Sequence, residues 1–178
     1  MPSITQASAK GIKWSHPRAA RMEYELRSGT DLLATLKCRN MFGTFATAAS
    51  ADGCWTFKRV GFWQNGSIRA CGSETDIAVF KNNTWDRGGT LQFSGEFPGG
   101  STFKATTNFW MTNFEFRTAA DEPLVTFDYG GVFHRSADVH ISPLGQRIPE
   151  CSMLVLFGWY LVLMLDMDNG AGAVVVTM

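Results

Sequence analysis

The chain has 178 residues, 45% apolar and 18% charged, enough for one sizeable core and too apolar for a disordered protein. Lys plus Arg and Asp plus Glu balance at 16 each, so no global charge draws the chain to nucleic acid. Four cysteines (Cys38, Cys54, Cys71, Cys151) show no CxxC spacing, and the polar first ten residues hold no apolar signal core; free thiols without an export signal predict a reducing, cytoplasmic location.

In chain order, residues 1–10 read as a polar tail ahead of a single domain over 11–178. Met22, Tyr24 and Leu26 alternate with charged residues up to a Ser28-Gly29-Thr30-Asp31 turn. Leu32, Ala34, Leu36 and Cys38 then alternate with Thr35, Lys37 and Arg39. This is a β-hairpin with one apolar face. The same period-2 pattern recurs at Trp55/Phe57, Leu91/Phe93, Phe114/Phe116, Val125/Phe127/Tyr129 and Ala137/Val139/Ile141. Gly, Asn, Asp and Pro punctuate the rows at Asp52-Gly53, Asn65-Gly66, Gly88-Gly89, Pro98-Gly99-Gly100, Asp121-Glu122-Pro123 and Gly130-Gly131. About twelve strands precede residue 143, a spacing suited to an antiparallel barrel or sandwich.

The pattern then changes. Pro149 and Glu150 suit the first turn of a helix, residues 151–165 read CSMLVLFGWYLVLML, and Asn169-Gly170 offers a stop. A helix near 149–166 that is apolar on every side is either a membrane span or a buried core element. Fifteen residues rise about 22 Å, short of the ~30 Å hydrocarbon layer. The flanks are acidic (Glu150, Asp166, Asp168) and carry no belt of Lys or Arg. The sequence therefore predicts a core helix and no transmembrane span. Strands with one apolar face can cover such a helix on all sides by wrapping around it. A sheet about 10 Å from the helix axis, with strands ~4.8 Å apart and tilted ~40°, closes with about ten to twelve members. The expected fold is all-β: a closed antiparallel barrel enclosing a C-terminal hydrophobic helix.

The stretch Ser50-Ala51-Asp52-Gly53-Cys54-Trp55-Thr56-Phe57-Lys58-Arg59 and the terminal LVLFGWYLVLML resemble bacterial members of the tubby-like grouping. That grouping takes in tubby C-terminal domains, phospholipid scramblases and LURP-one-related proteins. The resemblance runs from about Gly11 and is architectural. It implies a twelve-stranded barrel around a central helix and, by analogy with tubby domains, a lipid-binding role. It does not imply calcium-dependent scrambling, because Asp138-Val139-His140-Ile141-Ser142-Pro143, where scramblases carry an acidic calcium-binding stretch, has too few oxygen ligands.

Charge is uneven along the chain. Residues 1–69 hold ten Lys/Arg against four Asp/Glu, an excess of +6, and residues 70–178 hold six against twelve, −6. Lys37, Arg39, Lys58 and Arg59 are the best-clustered basic residues: the first three share an outer face, and Arg59 follows the inward Trp55–Phe57 row toward the barrel mouth. They form either an anion-binding patch or an ordinary solvated face. Trp63 and Trp110, in the pairs Phe62-Trp63 and Phe109-Trp110, are either core filling or rim residues. His134 and His140 lie about 20 Å apart along a strand at ~3.4 Å per residue, too far to share a metal. The run Asp166–Gly170 lacks the third ligand and closing Glu of a calcium loop. No metal or cofactor is expected. Two functional expectations result. The first is a non-enzymatic binding module, docking to an anionic membrane surface or a protein partner. The second is a small enzyme using a rim site around His134, Asp138 and His140.

Overall fold

A computed structural model describes residues 1–7, 10–18, 20–39, 44–61, 65–83, 88–95, 102–130 and 136–173, with side chains through Asp168. Twelve strands form one closed barrel: β1 (Ile12–Ser15), β2 (Glu23–Ser28), β3 (Asp31–Cys38), β4 (Phe45–Ser50), β5 (Gly53–Val60), β6 (Asn65–Ala70), β7 (Ala78–Asn83), β8 (Gly88–Phe93), β9 (Thr102–Thr107), β10 (Asn113–Thr118), β11 (Pro123–Asp128) and β12 (Ala137–Ile141). Each strand pairs antiparallel with its neighbours in sequence. β1 and β12 close the ring, with Ile12 opposite Val139 and Trp14 opposite Ala137. Closure leaves no unpaired edge to protect.

The period-2 rows point inward as expected: Tyr24 and Leu26, Leu91 and Phe93, Phe114 and Phe116, and Ala137 and Val139 are all buried. Two bulges interrupt the alternation. One lies between Leu26 and Arg27, where Leu33 and Ala34 are both buried; the other lies between Phe116 and Arg117, where Leu124 and Val125 are both buried. Each adds a residue to one strand and sharpens its local bend.

Two expected turns are strand instead. Asn65-Gly66 begins β6 and Gly88-Gly89 begins β8. These glycines serve close approach. A Cβ on Gly89 would lie 2.4 Å from the Phe80 ring, and one on Gly88 would lie 2.1 Å from the Ala105 carbonyl oxygen.

Helix α2 (Cys151–Ala173) runs through the barrel. It continues about two turns past the expected end near residue 166. Asn169-Gly170 does not stop it, and Arg59 holds Asp168 in its last turns. At 23 residues it is about 34 Å long, enough to cross a bilayer, so the length argument against a span fails. What the structure adds is burial. Cys151 through Met164 are all buried, which is 78% of the residues in the apolar 18-residue window Cys151–Asp168. Trp159 stacks on Trp14 at 5.8 Å and meets Tyr24 edge-on, while Phe157 packs edge-on against Phe57 at 5.2 Å. The helix takes the place a lumen would occupy.

The first residues are not all a loose tail. A short helix α1 (Ile4–Ala7) seats Ile4 fully buried against α2 and β3. Asp52, in the β4–β5 turn, accepts from Ser152 Oγ at 2.6 Å, Ser3 Oγ at 3.3 Å and the Ile4 amide at 3.4 Å. One carboxylate thus ties α1 to the start of α2. The expectation of four free thiols is also corrected: Cys54 and Cys71 form a disulfide, leaving Cys38 and Cys151 free. Strand register brings them together, because Trp55 pairs with Ala70 and the next pair outward is Cys54 with Cys71. The cytoplasmic expectation loses that support.

Candidate docking surface

The strand order sets β3, β4 and β5 side by side, and register fixes where their basic residues fall. Lys37, Thr47 and Thr56 form one row across the three strands, and Arg69 on β6 continues it. In the row below, the Arg39 amide donates to the Phe45 carbonyl, and Phe45 pairs with Lys58. Lys37, Arg39 and Lys58 are exposed on the outer wall, as expected. Lys37 lies 3.7 Å from Glu23 on β2. Arg39 and Lys58 face no carboxylate among the described residues. A shallow groove of about 200 Å³ runs along this wall between Phe45, Thr56, Lys58, Arg69 and Glu74. Arg69 is neutralised there by Asp76 and Glu74.

Arg59 departs from the other three. It lies at the barrel mouth on the inward row, as its alternation requires. Both arms of its guanidinium donate to Asp168 of α2 at 2.9 Å, and its side chain is 18% exposed. It belongs to the anchorage of the helix and is withdrawn from the basic patch. The charge asymmetry along the chain is likewise reduced by folding. Lys13 meets Asp138, Arg59 meets Asp168, and Arg69 meets Asp76.

The two described members of the alternative rim site, Asp138 and His140, turn to other partners. His134 lies outside the described residues. His140 Nε2 is 3.3 Å from Asp128, and Asp138 faces Lys13 at 3.8 Å. Ser15 shares their open groove of about 480 Å³, but its hydroxyl donates to the Glu25 carbonyl at 3.3 Å. No nucleophile–base contact forms among these groups. Asp166 through Gly170 is helical, so no calcium loop exists there.

Sequence reading left Trp110 open between core and rim, and the structure places it at the rim, 78% exposed beside Phe109 at 69%. Trp63 lies outside the described residues. Below this tip a cleft of about 310 Å³ opens between α2 and β7–β10, with walls from Phe80, Met111, Phe114, Met164 and Leu165 and a polar edge at Asn82. Periodicity gives no sign of this cleft, because its walls come from strands and helix far apart in sequence.

No protein-family description matches the sequence, and no curated protein does. Among solved structures, a protein of Arabidopsis thaliana matches with a TM-score of 0.57 at 10% identity, over 92% of this chain and 96% of that one. The likeness is one of fold. It takes in the closed twelve-stranded barrel and its C-terminal helix.

Proposed function

We propose that this chain is a non-enzymatic docking module of the tubby-like grouping that binds an anionic membrane surface through the outer wall of β3–β5. The observation carrying this reading is the exposed cluster of Lys37, Arg39 and Lys58 on adjacent strands, two of them facing no described carboxylate. The filled barrel supports it: with α2 along the axis, the space in which a barrel enzyme or carrier holds its ligand is occupied by side chains. Each basic residue near an anionic surface contributes about 1 kcal/mol. Three give about 3 kcal/mol, short of the ~4 kcal/mol of a millimolar attachment. A second contact is therefore part of the reading.

The test is co-sedimentation with anionic vesicles at low and physiological salt. Wild type should bind at low salt and release as the Debye length shrinks to ~8 Å. The triple variant Lys37→Glu/Arg39→Glu/Lys58→Glu should lose binding. Equal sedimentation of the two proteins would remove the patch from the mechanism, and no binding by wild type would favour a protein partner.

A further inference from the structure

The meander sorts the chain's connections alternately to the two ends of the barrel, and the two sets differ. Among the described residues, the end where α2 begins carries 1–7 and 10–11, the connections 29–30, 51–52, 71–77, 94–95 and 119–122, and the approach to α2 over 142–150; they hold six Asp/Glu, two Lys/Arg and no aromatic residue. The described connection residues at the end where α2 leaves (16–18, 20–22, 39, 44, 61, 108–112, 129–130 and 136) hold three Arg, no Asp/Glu, and the exposed Phe109 and Trp110. One end is acidic; the other is basic and exposes aromatic rings. Of the four large apolar side chains exposed among the described residues, Val60, Phe109 and Trp110 are at the second end.

The Phe109–Trp110 tip is held in place by its own turn. Asn108 Oδ1 accepts from the amides of Thr112 at 2.8 Å and Asn113 at 3.2 Å, and Asn108 Nδ2 donates to Thr112 Oγ1 at 2.8 Å. The Met111 amide donates to the Asn108 carbonyl, and Met111 holds a φ of 53°, a left-handed conformation costly for a side chain of its kind. The turn thus spends strain to keep two aromatic rings, set edge to face at 5.1 Å, in solvent. Aromatic rings and basic residues presented on one end match the headgroup layer of an anionic bilayer, where Trp settles and Lys and Arg are attracted. A protein partner would take the rings but gives no account of the charge division between the two ends.

We propose that the barrel docks end-on, with Phe109 and Trp110 inserted into the interface of an anionic bilayer and Arg39 and Lys58 facing its headgroups. This rests on the membrane-docking reading and supplies the second contact that reading requires. The experiment uses the full chain with vesicles of phosphatidylcholine and phosphatidylserine. Binding is read by co-sedimentation, and depth by quenching of tryptophan fluorescence from brominated acyl chains. Phe109→Ser/Trp110→Ser should keep the wild-type melting temperature, since both rings are already exposed, and should bind about tenfold more weakly. Trp110→Phe should keep binding and lose most of the quenching. If wild type binds and the double serine variant binds equally, with quenching unchanged in Trp110→Phe, insertion of the tip is wrong and the outer-wall reading stands. Absence of wild-type binding to any vesicle overturns both.

Discussion

Arg59 on β5 and Asp168 on α2 meet through two parallel hydrogen bonds of 2.9 Å, 109 residues apart in sequence. The pair closes the mouth through which α2 leaves the barrel. It also places a cation beside the helix C-terminus, where the macrodipole is negative and Asp168 alone would be unfavourable. Two-point geometry makes it stronger than an ordinary surface pair, but both side chains retain some exposure, which holds the coupling to about 1 kcal/mol. A double-mutant cycle with Arg59→Ala and Asp168→Ala should return that coupling. Hydrogen exchange should quicken in the last turns of α2 in either single variant and stay unchanged over Cys151–Trp159.

Gly158 sits mid-helix, where alanine gains about 1 kcal/mol of helix propensity. A Cβ there would lie 2.5 Å from the Phe127 ring and 3.0 Å from that of Phe116. Both rings are fully buried and cannot swing away. Overpacking of this kind costs typically ~1–3 kcal/mol, so Gly158→Ala should be destabilising despite its propensity gain. Denaturant titration measures it, and Phe127→Leu in the same chain should recover part of the loss. A stabilised Gly158→Ala would show that helix and wall are further apart than described.

The Cys54–Cys71 bridge closes a segment of 17 residues at the exposed, acidic end of the barrel. Constraint of a loop this long in the unfolded chain stabilises by roughly 3 kcal/mol. Reductant should lower the denaturant midpoint accordingly, and Cys54→Ser/Cys71→Ser should match the reduced protein without further response. Two free thiols at these positions in protein purified without reductant would contradict the pairing.

Burial pushes the thiols of Cys38 and Cys151 up to about 12 from 9.0, with nearby Asp52 adding to the effect at Cys151. The sign follows from proton counting. Above pH 9 the unfolded chain releases these protons while the folded chain keeps them, so stability is intact below pH 9 and falls as pH rises toward 12. The buried phenols of Tyr160 and Tyr129 shift upward too and steepen the loss. Denaturant midpoints measured from pH 8 to 11 should decline, less so in Cys38→Ala/Cys151→Ala. At pH 8 a thiol reagent should modify Cys151 only after unfolding.

The architecture was legible in the residues because it depends on local periodicity. Tyr24/Leu26 and Leu91/Phe93 declare an inward face, CSMLVLFGWYLVLML declares an element needing cover on every side, and only closure satisfies both. Other features depend on which distant segments meet, and a linear pattern does not carry that. Gly66 and Gly89 look like turns until Phe157 and Phe80 pack against them. Cys54 and Cys71 read as unrelated thiols until strand register sets them opposite each other. Arg59 belongs by alternation to the mouth, but its carboxylate lies 109 residues away. The contrast between an acidic end and a basic end that exposes Phe109 and Trp110 is spread over separate connections among the described residues. It becomes visible only when the meander assigns each connection to its end, because the physical property belongs to a surface assembled from many separate segments.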